Sequence, residues 1–135
     1  MSKHIVEVIK ALPELIALKP ATFEQINDAE NELKLHFAEE YKDYLKEFGS
    51  IIALGFELSG IAKSAHRNVV SLTKQERELN PKVPCTMYVI ENTCIDGIII
   101  WQDTDGLIYK TRPNGKPVII ANSLAEYVGS RMVPS

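Results

Sequence analysis

Apolar residues recur along this chain with two periods, and the change from one to the other organises it. Ile5, Val8, Ile9 and Leu12 stand three and four residues apart and predict a first helix, with Ser2 as its cap. Pro13 opens a further turn through Leu18, and Lys19-Pro20 breaks the pattern. Thr22-Phe23-Glu24-Gln25 has the form of a capping box, and the helix behind it carries Ile26, Ala29 and Leu33 on one face, ending near Leu35. Ala38 to Phe48 predicts a third helix. Phe37, Tyr41, Leu45 and Phe48 form its apolar stripe, Glu39, Glu40, Asp43, Lys46 and Glu47 its acidic face, and Gly49 its C-terminal cap.

Beyond residue 50 the period shortens. Ile51 to Gly60 reads as two short strands around Gly55, followed by a polar loop over 62–68. A helix over 69–79, with Val70, Thr73 and Arg77 on its inner face beside Leu72 and Leu79, is stopped by Asn80-Pro81. Three strands follow, at 87–91, 97–102 and 107–111. Asp96-Gly97 and Asp105-Gly106 join them as tight turns, because these residues tolerate positive φ. Ile98-Ile99-Ile100-Trp101 is apolar on both faces, as a central strand covered from each side would be. The turn at 112–117 leads to a last strand at 118–121. Asn122 or Ser123 then caps a closing helix with Leu124, Tyr127 and Val128 inward, and the tail from Gly129 to Ser135 is expected to fray. The expected fold is α+β: one domain over 1–135, with a mostly antiparallel sheet of about five or six strands and helices on one face and at the end.

Charge sharpens this picture. The net charge of −3 lacks the basic face of a dedicated DNA or RNA binder. Residues 1–50 hold six Lys and no Arg against ten acids, a net of −4, so the helical front half is the acidic half. Cys85 and Cys94 are the only cysteines and have no metal-type spacing. The N-terminal segment has no long apolar core and no run approaches a membrane span, so a cytoplasmic protein with reduced thiols is expected.

Candidate chemistry is sparse. Asp103-Thr104-Asp105-Gly106 opens like a calcium loop, but Lys110, Thr111 and Arg112 stand where further oxygen ligands would be needed; a hairpin turn is the expectation. His4, His36 and His66 are scattered, and Ser59 and Ser64 lie near His66 without a nucleophile elbow. The glycines are isolated and build no phosphate loop, so no cofactor is expected. What remains is a set of acids in or near loops between strands, Glu57, Glu91, Asp96, Asp103 and Asp105, interleaved with Tyr88, Trp101 and Tyr109. Such acids serve as turn formers that blunt a sheet edge. As a group they also make an acidic, aromatic-edged surface for a basic protein. The acidic face of the third helix is the competing surface.

The run Thr22-Phe23-Glu24-Gln25-Ile26…Glu30…Leu33…Phe37-Ala38-Glu39-Glu40-Tyr41-Lys42-Asp43-Tyr44-Leu45…Phe48-Gly49 resembles the entry motif of the SUKH superfamily, the Smi/Knr-type domain. The second half agrees, through Gly97 to Trp101, Asp105-Gly106-Leu107-Ile108-Tyr109 and Ser123-Leu124-Ala125-Glu126-Tyr127. Phe37-Ala38 departs from the usual Leu-Pro step. The resemblance covers about residues 22–128 and implies a non-enzymatic protein. Bacterial members are mostly immunity proteins that neutralise a cognate toxin, often a nuclease; eukaryotic members resemble scaffold or regulatory modules. The family has no universal catalytic residues to transfer. Glu57, Glu91, Asp96, Asp103 and Asp105 are therefore expected, from charge and position near strand ends, to contact a basic toxin domain, with Tyr88 and Trp101 as apolar anchors where they are exposed, although the run around Trp101 reads as core. No direct contact with nucleic acid or membrane is expected.

Overall fold

In a computed structural model, which describes residues 3–53 and 55–132, the elements run α1 (Lys3–Lys10), β1 (Ile16–Ala17), α2 (Phe23–Leu33), α3 (Glu39–Phe48), β2 (Ile51–Ala53), β3 (Phe56–Leu58), α4 (Val69–Leu79), β4 (Tyr88–Asn92), β5 (Ile99–Gln102), β6 (Ile108–Thr111), β7 (Val118–Ala121) and α5 (Leu124–Met132). The fold is α+β. Local chemistry accounts for most boundaries. Thr22 Oγ1 accepts from the Gln25 N–H at 3.1 Å while the Thr22 N–H donates to Gln25 Oε1 at 2.9 Å, closing the capping box of α2. Asn68 Oδ1 accepts the Val70 and Ser71 amides at the start of α4, and the helix ends before Pro81 as its sequence requires. Gly49 ends α3 at φ +73°, where a Cβ would also fall 2.1 Å from the Lys19 carbonyl oxygen.

The Phe37-Ala38 departure has a structural reason. Ala38 sits at the N-cap of α3 with φ −60°, a value that suits proline, but its N–H donates to the Tyr88 hydroxyl at 3.0 Å. Proline has no such donor. The entry of α3 is thereby tied to β4.

The strands form two antiparallel sheets, β1-β2-β3 and β4-β5-β6-β7, where one sheet of five or six was expected. β3 does not ladder with β4. Ser59, just past β3, makes the junction: its N–H donates to the Ile90 carbonyl at 2.8 Å and its hydroxyl to that of Val89 at 2.7 Å. The Tyr41 hydroxyl meets Ser59 Oγ at 2.9 Å and the Tyr44 hydroxyl donates to its carbonyl at 2.9 Å, so α3 clamps the same point. β5 is interior, as expected, with Trp101 opposite Val89 on one side and Tyr109 on the other.

Helices cover both faces of the larger sheet, not one. Tyr88, Ile90, Ile100 and Ile108 join the main core, built with Ile5, Tyr41, Leu45, Leu124 and Val128. Val89, Ile99 and Trp101, on the other face, pack with Leu72 of α4 and with Val83 and Met87. Two more corrections concern short apolar stretches. Residues 13–18 do not form a helical turn; Ile16-Ala17 is a two-residue edge strand paired with Ile52 and Ile51. Leu79 is 63% exposed, and the inner face of α4 is Val69, Leu72, Thr73 and Glu76. The tail expected to fray from Gly129 is helical as far as Met132, because Arg131 is held by Glu91; the cap expected at Ser2 and residues 133–135 lie outside the described residues.

Candidate functional site

The structure scatters the seven residues expected to form one surface. Tyr88 and Trp101 are fully buried. The Tyr88 ring packs edge-on against Phe37 at 4.8 Å and its hydroxyl donates to Gln102 Oε1 at 2.9 Å. Trp101 donates Nε1–H to Thr111 Oγ1 at 2.9 Å within the core beneath α4. Both are core residues because the strands that carry them have a packed layer on each side. They offer no contact to a partner.

Glu91 is also buried, at 3% exposure. Both its oxygens accept from the Arg131 guanidinium, at 2.8 and 2.9 Å, and one accepts from the Tyr127 hydroxyl. Arg131 in turn lies over the Phe56 ring at 4.9 Å. Burial pushes the Glu91 carboxyl above its ordinary value, against the pull of the Tyr127 hydroxyl and the Arg131 charge. This acid locks α5 to the sheet.

Asp103 is occupied by its own turn. One oxygen accepts the Asp105 and Leu107 amides, each at 3.0 Å, and the other accepts from the Tyr109 hydroxyl at 2.8 Å. Burial, and then the carboxylate it meets, pushes the Tyr109 hydroxyl up to about 12. The turn is thus an Asx turn holding the β5–β6 hairpin. Asp103→Ala is expected to cost about 1–2 kcal/mol, the penalty of stranding those donors, against less than about 0.5 kcal/mol for Asp105→Ala. Urea denaturation of the two variants checks this; equal losses would remove the distinction.

Glu57, Asp96 and Asp105 are exposed, but they do not meet. Asp96 lies in the β4–β5 hairpin, beside the turn carrying Pro113. Asp105 is at the opposite end of the sheet, where Thr104 Oγ1 donates to the His36 carbonyl at 2.7 Å. Glu57 belongs to the smaller sheet, opposite Ile52.

The competing face, on α3, is largely compensated. Glu39 pairs with Lys42 at 2.5 Å, and hydrogen bonding to that ammonium holds its carboxyl below the ordinary value. Glu47 pairs with Lys10 at 3.8 Å. Glu40, read from sequence as a surface acid, is buried and accepts the Leu124 and Ala125 amides at 2.6 and 2.9 Å.

The clearest acidic surface lies on α2. Its inward residues, Ile26, Ala29 and Leu33, leave Glu24, Asp28 and Glu32 exposed in one row at four-residue spacing. Phe23, Asn27 and Asn31 form an exposed row beside it, with Phe23 at 77% exposure. The helix contains no Lys or Arg. Among the described residues one ion pair reaches the acidic row, from Lys74 to Glu32 at 2.6 Å. Along its edge opens a cleft of about 360 Å³, lined by Gln25, Asp28, Glu32, Lys63, Asn68 and Ser71. This row was not singled out from sequence. Its signal was there, in four acids and no base between Phe23 and Leu33, the same surplus that makes residues 1–50 acidic.

Among the described residues, reactive side chains stand apart from one another, save that Ser64 Oγ lies 2.7 Å from His66 Nδ1 on an exposed loop. Cys85 and Cys94 are exposed and unbridged. Among the described residues no group of His, Cys, Asp and Glu is placed to hold a metal ion, and no helix is long and apolar enough to cross a membrane. A SUKH family model described as SMI1-KNR4 cell-wall matches residues 2–132. No curated protein matches the chain.

Proposed function

Because the chain belongs to the SUKH family, we propose that it works by binding another protein, as an immunity protein that neutralises a basic toxin domain of the nuclease type. The observation that carries this reading is the row Glu24, Asp28 and Glu32 on α2, which no base on the same helix balances. A nuclease must present cations to phosphate. An acidic helix face competes for those cations, steers the encounter and covers the groove without chemistry of its own. Phe23, exposed at the head of the neighbouring row, supplies an aromatic anchor of the kind that concentrates binding energy. The protein acts where such a toxin reaches nucleic acid, in the cytoplasm.

Co-expression with a toxin encoded beside this gene, followed by pull-down and growth rescue, tests the reading. Glu24→Lys with Asp28→Lys is expected to slow association about 10- to 100-fold at low salt, because charges outside a desolvated centre act chiefly on the on-rate. The melting temperature should stay within about 2 °C, since both acids are exposed and unpaired among the described residues. Asp105→Lys probes the loop acids in parallel. Wild-type protein that binds and protects against no neighbouring toxin would end the immunity reading. Full rescue by the α2 double variant would end only the assignment of the surface.

A further inference from the structure

The two edges of the four-stranded sheet are finished differently. At β4, Thr73 Oγ1 accepts the Val89 amide at 2.9 Å, while Ser59 caps the carbonyls of Val89 and Ile90. That edge is closed by groups of the same chain. At β7 the outer edge has no such cover. Among the described residues, nothing beyond the β6 ladder bonds the backbone of residues 118–121. Val118, Ile119 and Ile120 are 59%, 54% and 40% exposed. No charged residue stands between Lys116 and Glu126. The register of β7 against β6 slips at Ile120, and Val118, Ile119 and Ile120 are all left exposed; with no charge among them, this open edge of β-branched residues can accept another strand.

We propose that the strand it accepts is β7 of a second copy, paired antiparallel about a two-fold axis at Ile119. Charge complementarity selects this occupant and this register. Centring the axis on Ile119 sets Val118 opposite the partner's Ile120, so the three apolar residues cover one another. The same register sets Lys116 opposite the partner's Asn122. There the Glu126 carboxylate is held in place, because its Oε2 accepts the Asn122 amide at 2.9 Å. Each copy thus brings a cation to one end of the strand and an anion to the other. Two-fold symmetry makes the pair of contacts reciprocal, as an isologous interface requires. The result is one continuous eight-stranded sheet. A four-residue strand buries less than the ~1,200 Å² of a standard interface, so a weak and reversible dimer is expected. This inference does not rest on the immunity reading.

Sedimentation equilibrium of the whole chain from about 5 to 500 µM is expected to show a reversible monomer–dimer equilibrium. Ile119→Lys should abolish it with the melting temperature retained. Lys116→Glu leaves the strand sequence intact and turns both end contacts repulsive, so it should weaken the dimer about tenfold. The register is read by cysteine cross-linking with Cys85 and Cys94 replaced by serine. At the axis, paired Cα atoms stand about 4.5–5.5 Å apart, within disulfide reach. Ile119→Cys should therefore cross-link two copies on oxidation, while Val118→Cys, two residues out of step with itself, should not. A monomer at every concentration overturns the proposal. So does a dimer that survives Ile119→Lys, or one that cross-links through Val118→Cys and not through Ile119→Cys.

Discussion

Glu40→Ala is expected to lower the melting temperature by roughly 10 °C, a loss of about 3–5 kcal/mol. Leu124 and Ala125 open α5, and their amides are among the first-turn donors that no helix can satisfy internally. Glu40 reaches across from α3 to accept both, and it also accepts from Gln102 Nε2 at 3.1 Å. The third first-turn amide, of Glu126, goes to Ser123 Oγ at 3.0 Å. Removing the carboxylate strands two buried donors at about 1–3 kcal/mol each, and the positive end of the helix dipole loses its anion. Glu40→Gln keeps an acceptor but turns an amide N–H₂ toward donors, so it recovers only part of the loss. Glu39→Ala, one residue away on the exposed side, should cost less than about 0.5 kcal/mol. Calorimetry of the three variants is the check, and a Glu40→Ala protein within 1 kcal/mol of wild type, roughly the worth of a single hydrogen bond, would refute the assignment.

Glu91→Ala should be comparably severe, at about 2–4 kcal/mol. It leaves Arg131 without a partner over an apolar surface; the side chain of Arg131 is 29% exposed, which tempers the full penalty of a stranded buried charge. In a double-mutant cycle with Arg131→Met the combined loss should fall well short of the sum. The pH dependence has a definite sign. Between the ordinary Glu value of 4.5 and its raised value in the fold, the folded chain holds a proton at Glu91 that the unfolded chain has released. Stability therefore falls as pH rises through that interval, and Glu91→Gln should flatten this part of the curve. An unchanged slope in that variant would show that the titration belongs to another group.

How much of this was legible depended on the range of the forces involved. The residues of α4 and of β7 are those that period and capping predict, 69–79 and 118–121, because both signals are local. The split into two sheets was not legible, since it turns on whether β3 ladders with β4 or meets it at Ser59 alone. Ile16-Ala17 became a strand through pairing with Ile52 and Ile51, 36 and 34 positions away, and a two-residue run has no period to detect. The candidate site failed for a related reason. Glu91 looks like a surface acid in a short strand, and its partner Arg131 stands 40 residues on. Glu40 left a trace, lying four and eight residues before the buried Tyr44 and Phe48, which places it on the inner face of α3. Trp101 sits in a run apolar on both faces, and that run argued for the core more strongly than the neighbouring loops argued for the surface.

The anchoring of α5 also has a consequence for the order of events during translation. Of the described elements α5 is the last to be synthesised, yet Leu124, Tyr127 and Val128 belong to the core that α1 begins, and α1 packs directly on α5. Until those residues leave the ribosome, Glu40 lacks the Leu124 and Ala125 amides, Glu91 lacks the Arg131 guanidinium, and α1 has α3 but not α5 to pack against. The nascent chain can form its hairpins early, but closure waits for the end of α5. The core of this chain cannot close before α5 has emerged, and a ribosome stalled before Leu124 should display a chain that proteases still cut freely.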